Sequence, residues 1–206
     1  MKTFLKKIFG KPAVNLTPLQ QLVAKQKDIR IVVGSGGLVP PAGWIATEVT
    51  SLDVTDQKNW DFLLKKRTVS NVFAEHVWEH LTPQQADLGN KNIFQYLKTG
   101  GRFRLAVPDG LHPDPDYINH VKIGGTGPGA DDHKVLYTYK TLRESLQIAG
   151  FDVVLLEYWD ENGKFHFTEW STDHGKVMRS KCFDQRNAAG ELKYTSLIID
   201  AVKPYA

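Results

Sequence analysis

The stretch Ile29-Arg-Ile-Val-Val-Gly-Ser-Gly-Gly37 decides the fold of this chain, because an apolar, β-branched run ends there in glycines. A second apolar run, Trp44-Ile-Ala-Thr-Glu48, follows and ends in a carboxylate. Such runs predict two buried strands. Glycine lets the backbone approach a ligand closely, and a carboxylate on the neighbouring strand accepts hydrogen bonds from both hydroxyls of a ribose. Together the two runs predict a nucleotide site at the edge of a parallel sheet.

The rest of the chain alternates strands with helices. Only seven residues, two of them prolines, separate Gly36 from Trp44, so no full helix fits between the first two strands. Thr82-Pro-Gln-Gln85 and Thr141-Leu-Arg-Glu144 have the pattern of capping boxes, and each predicts the start of a helix. The further predicted strands are 52–54, 69–74, 102–107, 151–158 and 194–202, and the predicted helices are 57–66, 82–98 and 141–149.

Two long segments interrupt this alternation. Residues 108–137 are rich in Pro, Gly and Asp, and residues 159–192 are mostly polar. Segments of this length are typical of functional loops, so we expect both to serve the substrate and the second to contain a hairpin. A chain of 206 residues suffices for one domain with a sizeable core. We predict a basic N-terminal segment over residues 1–28 and one domain over residues 29–206.

Five candidate ligand-binding positions fall at the ends of predicted strands. Strands that alternate with helices form a mostly parallel sheet, in which ligands bind outside the carboxyl ends of the strands. The positions that share this edge are Gly34–Gly36, Glu48, Asp53, Glu75 and Asp109. Their common location is more specific than any of them alone.

These residues resemble the class I S-adenosylmethionine-dependent methyltransferases, especially the broad bacterial group with an Asp/Glu-His-Leu element after the fourth strand. Val32–Gly36 is similar to the glycine motif, and Trp44–Glu48 to the second strand with its ribose carboxylate. Leu52–Val54 is similar to the adenine-edge motif, Phe73–Leu81 to the element after strand four, and Tyr96–Asp109 to the turn and fifth strand. The resemblance implies a Rossmann-like methyltransferase sheet, mostly parallel with an antiparallel last strand, and helices on both faces.

The chain departs from that family at two places. The family often has an acidic residue just before the first glycine, where this chain has Val32 and Val33. The helix that usually follows the glycine loop has almost no residues left to form it. Because the N-terminus of that helix normally helps to hold the cofactor, these departures bear directly on cofactor binding.

The resemblance implies S-adenosyl-L-methionine as cofactor and methyl transfer to a small polar acceptor as the reaction. A sugar of a bacterial surface-glycan precursor is the acceptor that we expect first. The alternative is a catalytically silent Rossmann-like module that recognises a protein partner, an interpretation that the shortened helix favours. The implied cofactor-binding residues are Gly34, Ser35, Gly36, Glu48, Asp53, Val54, Glu75 and His76.

Three residues are candidates for catalysis: His133, Asp109 and His76. An imidazole titrates near neutrality, which suits deprotonation of a hydroxyl, but His133 could equally be held as a structural residue by Asp131 or Asp132. Asp109 is followed by glycine and also reads as a turn. On a helix, His76 and His80 would share a face as a metal pair. Without an obvious third ligand, packing is the favoured interpretation and no metal is expected.

The second long segment carries a cluster of polar side chains. Arg179, Asp184, Arg186 and Asn187 are candidates to hold a polar substrate such as a sugar or a carboxylate. The same residues are equally explained as surface ion pairs. The sequence does not decide between these two interpretations.

Composition excludes several classes of protein. The single cysteine, Cys182, excludes an internal disulfide and a multi-cysteine zinc site, and it fits a reducing cytoplasm. Residues 1–30 carry seven Lys or Arg and one Asp, a net charge of +6, so the remaining residues carry −3 of the total of +3. A nucleic-acid surface is therefore not indicated. The lysines of the N-terminal segment and its apolar residues 4, 5, 8 and 9 would suit contact with the inner face of a membrane. The alternative is a terminus that packs on the domain. The sequence does not indicate the oligomeric state.

Overall fold

A computed structural model describes residues 16–37 and 39–205 of the chain. Most of the predicted basic segment, including its apolar residues 4, 5, 8 and 9, lies outside the described residues. In the part that is described, no helix combines the length and the apolar character needed to cross a membrane.

The described residues form a seven-stranded sheet with helices around it. The strand order is β2-β1-β3-β4-β7-β5-β6. The strands are β1 (Ile29–Val33), β2 (Trp44–Thr47), β3 (Val69–Glu75), β4 (Leu97–Pro108), β5 (Asp152–Trp159), β6 (Phe165–Phe167) and β7 (Ser196–Val202). The α-helices are α1 (Pro18–Lys25), α2 (Gln57–Leu63), α3 (Pro83–Tyr96), α4 (Pro115–Val121) and α5 (Tyr139–Ile148).

The sheet is mixed, and five of its strands run in one direction. β1 pairs in parallel with β2 and β3, and β3 pairs in parallel with β4. The last strand, β7, lies between β4 and β5 and is antiparallel to both. This arrangement confirms the predicted fold class, a mostly parallel Rossmann-like sheet with an antiparallel last strand.

The prediction of a short strand over Leu52–Val54 is wrong. These residues form an irregular segment and a turn, and the side chains of Leu52 and Val54 are buried in the core. Asp53 explains the difference, because its carboxylate accepts hydrogen bonds from the backbone N–H and the hydroxyl of Thr55. Such a local bond turns the chain instead of extending it.

One face of the sheet packs against α-helices. Helix α1 contacts α2, α2 contacts α3, and α3 contacts α5, so these helices form a continuous layer. The side chains that point toward the layer are apolar on every major strand, among them Ile31, Val72, Phe103 and Leu105. Thr82 caps α3 with the predicted capping box, its hydroxyl accepting from Gln85 N at 3.3 Å. We call this side the helix-covered face.

The opposite face packs against residues 168–195, which we call the insertion. No helix follows the glycine loop between β1 and β2 in the described residues, as predicted, and the insertion covers part of the surface left free. Its 3-10 helix Thr172–His174 contacts β3 and β4, and Val177 packs with Phe73 and Ile198. We call this side the insertion-covered face. Among the described residues it is contacted by this 3-10 helix, whereas the layer of α-helices lies on the other face.

The two long segments are more ordered than loops. Residues 108–137 contain α4 and the 3-10 helix Ala130–Asp132, which the sequence analysis did not predict. In the other segment, β5 and β6 form the predicted hairpin, with Tyr158 opposite His166. Helix α4 buries Tyr117 and Val121 against Tyr194 beyond the carboxyl end of the sheet, which brings the two segments together.

Candidate active site

The glycine loop is a tight turn at the carboxyl end of β1. Gly34 and Gly36 both have φ +61°, in the left-handed region that glycine adopts without strain. A Cβ on Gly34 would lie 2.7 Å from Cγ2 of Val77, whereas a Cβ on Gly36 would meet no atom within 4 Å. Ser35 N donates to Thr47 O at 3.2 Å and ties the loop to β2. The loop therefore needs glycine at one position for space and leaves the other open.

Glu48 braces the glycine loop from the end of β2. Its Oε1 accepts hydrogen bonds from Ser35 Oγ at 2.5 Å and from Gly37 N at 3.2 Å. No hydrogen bond from the described residues reaches Oε2. The predicted ribose carboxylate is thus adjacent to the loop, with one oxygen occupied by the loop itself.

Asp53 and Val54 line neither of the two cavities described below. Asp53 Oδ1 holds the turn to Thr55. The Val54 side chain is buried, and its carbonyl accepts from Trp60 Nε1 at 3.1 Å and Asn92 Nδ2 at 2.8 Å. These bonds tie Val54 to α2 and α3 and make Asp53 part of a local turn.

Glu75, the last residue of β3, anchors the insertion. Its carboxylate accepts from Met178 N at 3.1 Å and from Arg179 N at 2.8 Å. Successive backbone N–H groups that point at one carboxylate fix the path of the chain. Glu75 thereby places Arg179 at the carboxyl edge of the sheet.

His76 is held in a strained backbone conformation directly after β3. Its φ is +56°, which is rare for a residue with a side chain and occurs most often at functional sites. Its Nδ1 lies 3.1 Å from Oε1 of Glu79, and its Nε2 lies 3.0 Å from Oγ of Ser196. The imidazole is therefore fixed on both sides.

A groove with a volume of about 940 Å³ opens over the glycine loop. It is within the size range of cofactor sites, about 300–1,000 Å³. It runs down the insertion-covered face along Val32, Trp44 and Phe73, where a helix after the glycine loop would otherwise pack. We call it the glycine-loop groove. The predicted site residues that line it are Gly34, Ser35, Gly36, Glu75 and His76.

A second cavity, with a volume of about 410 Å³, lies beside the groove. We call it the histidine cavity, because His76, His120 and His133 line it together with Arg179 and Arg186. His76 and Arg179 line both the cavity and the groove, so the two spaces meet at these residues. The wall contains basic and neutral groups, which suits a polar or anionic molecule.

Asp109 joins two strand ends through its carboxylate. Its Oδ1 accepts from Leu111 N at 3.0 Å and its Oδ2 accepts from Trp159 N at 2.8 Å, so it joins the ends of β4 and β5. The residue is fully buried and lines neither cavity. Burial raises the pKa of the Asp109 carboxyl to about 6, although the two N–H donors oppose the shift. Its predicted role as a base is not supported by this placement.

His133 lines the histidine cavity, but neither predicted aspartate holds it. Its Nδ1 lies 2.7 Å from the carbonyl oxygen of Val121. Asp132 instead lies 3.3 Å from Nδ1 of His80, whose ring packs edge-on against the His133 ring. The fold therefore brings His80 and His133 together, which their separation in sequence could not indicate.

The polar cluster of the insertion divides into two roles. Arg186 lines the histidine cavity, stacks on the Tyr194 ring at 3.4 Å and pairs with Asp184. Asn187 is buried and bonds to the backbone of Ser180 and Tyr194, so it shapes the insertion. Both interpretations, substrate wall and internal pairing, apply to different members of this cluster.

Several buried charges that hold the insertion were missed by the sequence analysis. Arg104 pairs with Asp200 and donates to the carbonyls of Ser171 and Gly175, while Glu157 accepts from Trp170 Nε1 and Lys181 N. A signal existed: Phe103, Leu105 and Val107 define one face of β4, so the alternating Arg102 and Arg104 belong to the other. A charged side chain on an inner strand of a sheet indicates that the segment packed on that face supplies a polar partner.

No protein-family model and no curated protein sequence matches this chain. Solved structures are similar to it. A SAM-dependent methyltransferase from Archaeoglobus fulgidus has TM-score 0.50 and 16% identity, over 89% of this chain and 90% of that one. A putative methyltransferase of Haloferax volcanii, in complex with the Trm112 methyltransferase activator, has TM-score 0.52 and 13% identity, over 90% and 88%. An S-adenosylmethionine-dependent methyltransferase from Mesorhizobium loti has TM-score 0.50 and 12% identity, over 85% of this chain and 90% of that one.

These likenesses, at low identity and over most of each chain, concern the fold. The chain has the fold of the class I SAM-dependent methyltransferases, as the sequence motifs predicted. The glycine loop, the carboxylate after β2 and the residues after β3 occupy the edge of the sheet where such folds bind ligands.

Proposed function

We propose that this protein is an S-adenosylmethionine-dependent methyltransferase that acts on a small polar acceptor. One observation carries the proposal: the glycine-loop groove and the histidine cavity meet at His76 and Arg179. Methyl transfer needs two adjoining spaces, because the donor and the acceptor must be held in line. The fold supports the same chemistry, since it is that of known methyltransferases.

The groove suits the proposed cofactor at its glycine end. Open space over Gly36 leaves room for a ligand against the backbone, and we assign the ribose hydroxyls to Glu48, whose Oε2 accepts no hydrogen bond from the described residues. Glu48 contacts the lining residue Ser35 but does not itself line the groove. Ser35 and Gly34 complete the loop, and we retain Asp53 and Val54 as neighbours of the adenine end. When bound, the cofactor supplies a methyl group on a sulfonium, which leaves as a thioether.

The histidine cavity suits an acceptor that carries a negative group. Arg179 and Arg186 offer guanidinium groups, and Tyr194 offers an aromatic ring. A phosphate-bearing sugar, such as a surface-glycan precursor, combines an anionic group with a ring that packs on aromatic side chains. We include this acceptor in the proposal. We also propose that the protein acts in the cytoplasm, near the inner face of a membrane that its basic N-terminal segment contacts.

We assign the general base to His76 rather than to His133. His76 borders both spaces, so its imidazole is near the point where an acceptor hydroxyl would meet the methyl group. Its Nδ1 lies near Glu79 and its Nε2 near Ser196 Oγ, so Nε2 would give up the Ser196 contact to take the proton of an acceptor hydroxyl. His133 borders the histidine cavity alone and would contact the acceptor away from the cofactor.

The cofactor site can be tested with two matched glycine variants. Gly36→Ala and Gly37→Ala are matched, because each puts a side chain at a positive φ and the added Cβ would have no atom within 4 Å. Of these two residues, only Gly36 lines the groove. Calorimetric titration with S-adenosylmethionine should show binding to the wild type and to Gly37→Ala. Binding to Gly36→Ala should be at least about tenfold weaker, which is a loss of about 1.4 kcal/mol in binding free energy. Equal affinities in the two variants would reject the site, as would no binding to wild type at millimolar cofactor.

The base can be tested once an acceptor is known. A screen of sugar phosphates for acceptor-dependent formation of S-adenosylhomocysteine supplies that acceptor. His76→Ala should then bind the cofactor with little change but lose at least about 100-fold in turnover. His133→Ala should raise the acceptor KM more than it lowers kcat, and the reverse pattern would exchange the two roles.

The second candidate function is a silent binding module that recognises a protein partner. The observation that favours it is the groove itself, which exists because no described helix follows the glycine loop to help hold a cofactor. The similar Haloferax volcanii protein is in complex with an activator protein. Methyl transfer to any acceptor would exclude this alternative, whereas a wild-type protein that fails to bind cofactor would favour it.

A further inference from the structure

Glu79 is a buried carboxylate without a hydrogen-bond partner. Its side chain has 0% relative exposure, and neither Oε1 nor Oε2 accepts a hydrogen bond in the described part of the chain. The nearest nitrogen is Nδ1 of His76, at 3.1 Å. Removing a carboxylate from water is costly unless a proton, a hydrogen-bond donor or a cation compensates it. Oε1 therefore has only the contact with His76, and Oε2 has no partner among the described residues.

Two histidines lie against this carboxylate. His80 follows Glu79 in the 3-10 helix Trp78–His80, and His133 comes from the loop after the second 3-10 helix. Lys134 N donates to the Glu79 carbonyl at 2.7 Å and fastens that loop in place. One ligand atom from each of Glu79, His80 and His133 lies within 4.8 Å of the others. Ligand atoms of tetrahedral Zn²⁺ lie about 3.4 Å apart, so the side chains would move closer by up to about 1.4 Å around an ion.

Both imidazoles are oriented as metal ligands are. The Val121 carbonyl only accepts, so Nδ1 of His133 carries the proton and Nε2 keeps its lone pair. Nδ1 of His80 faces Oδ2 of Asp132 at 3.3 Å, which fixes the same tautomer. Histidines that ligate metals donate their other ring N–H to a carbonyl or a carboxylate in this way.

We propose that Glu79, His80 and His133 form a binding site for a divalent cation, with Zn²⁺ as the best fit. Two histidines and one carboxylate are the ligand set of catalytic zinc sites, in which the fourth position stays open for water or substrate. His133 lines the histidine cavity, so the open position would face that cavity. No metal is expected from the sequence, because the pair considered there, His76 and His80, contains only one of these three ligands. The fold supplies the third across more than fifty residues.

The metal site is tested with metal alone, so the test does not require methyl transfer. Protein dialysed against a chelator is equilibrated with Zn²⁺ and its metal content is measured by mass spectrometry. Co²⁺ alone is added to a second sample, in which tetrahedral N/O ligation gives visible absorption bands. We expect one ion per wild-type chain and none in His80→Ala or His133→Ala. His80 is 31% exposed in its side chain, so His80→Ala keeps the test valid if His133→Ala fails to fold.

A matched pair of aspartate variants separates a built site from chance binding. Asp132→Asn removes the carboxylate that contacts His80 Nδ1 and should weaken Zn²⁺ binding by about 10–100-fold. The neighbouring Asp131 is also exposed, and Asp131→Asn should leave Zn²⁺ binding unchanged. His166→Ala, a histidine on β6 outside the site, is a further control. Wild type that binds no Zn²⁺ at micromolar concentrations, or unchanged binding in His80→Ala, would overturn the proposal. Neither result depends on whether the protein binds S-adenosylmethionine.

Discussion

The two faces of the sheet are held by different forces. On the helix-covered face, strands and helices meet through apolar side chains such as Ile31, Leu105 and Ile199. On the insertion-covered face, buried charges of the strands, Arg104 and Asp200 among them, bind backbone groups of a segment with little regular structure. The first face needs only hydrophobic periodicity, and the second needs specific partners.

The difference shows how this chain compensates for a missing helix. A helix satisfies its own backbone, so it can cover a sheet with apolar contacts alone. An irregular segment leaves backbone groups unpaired, and the strands beneath must supply donors and acceptors. Glu75, Arg104 and Glu157 do so from three neighbouring parts of the sheet. The same anchors set Arg179 at the border of the two cavities.

The largest expected effect comes from breaking the central charge pair. Asp200→Ala leaves the buried Arg104 and its neighbour Arg102 without their carboxylate, and we expect it to lower the free energy of unfolding by about 3–5 kcal/mol. Urea denaturation followed by circular dichroism measures the loss.

The control for this variant is the adjacent Ile199→Ala, whose side chain lies on the helix-covered face. It should also cost about 2–5 kcal/mol through a core cavity. Limited proteolysis under native conditions separates the two, because only Asp200→Ala should expose residues 168–195 to cleavage. Equal cleavage in both variants would break the comparison between the faces.

The second prediction concerns the pH dependence of stability. It tests the buried carboxyl of Asp109, which bonds to the backbone at the end of β5. Asp109 has a pKa of about 6 in the folded protein against a reference value of 3.8, so the folded state binds its proton more tightly. Stability therefore falls as pH rises from about 4 to above 6, by about 3 kcal/mol relative to Asp109→Asn.

Urea denaturation of wild type and Asp109→Asn across pH 4–7 measures this difference, since the other titrating groups cancel. A difference between the two proteins that stays constant over this range would contradict the raised pKa. Variants in the helix-covered core remove only apolar side chains, so they should show the wild-type pH dependence.

The smallest expected effect is on the helix-covered side. Thr82→Ala removes the side-chain acceptor that caps α3 and should cost about 1 kcal/mol in the free energy of unfolding. Thr82→Ser keeps the acceptor and should remain close to wild type. Neither variant should change proteolysis of the insertion, and a change would show that the two faces are energetically coupled.

Much of the fold was predictable because its signals are local. The run Ile29–Val33, the capping box at Thr82 and the shortage of residues after Gly36 each involve a few neighbours in the chain, and the structure agrees with them. Leu52–Val54 was predicted wrongly, since its apolar residues suit a strand while the Asp53 side chain bonds its own backbone into a turn. A short apolar run does not distinguish the two.

The candidate site was only partly predictable. Gly34, Ser35 and Gly36 line a groove as expected, but Glu48 also braces the loop and Asp109 serves as a structural anchor. Whether a carboxylate meets a ligand, a backbone N–H or nothing depends on which distant segment reaches it. That information is absent from the residues around it.

By itself the sequence determined six of the seven strands, helices α2, α3 and α5, and the glycine loop, because hydrophobic periodicity and capping act over a few residues. Only the tertiary structure decided that residues 168–195 would cover the second face and that His76 would border two cavities. It also decided that Glu79, His80 and His133 would converge. These outcomes depend on contacts between segments far apart in the chain, and such contacts form only when buried charges and backbone groups find partners in the folded protein.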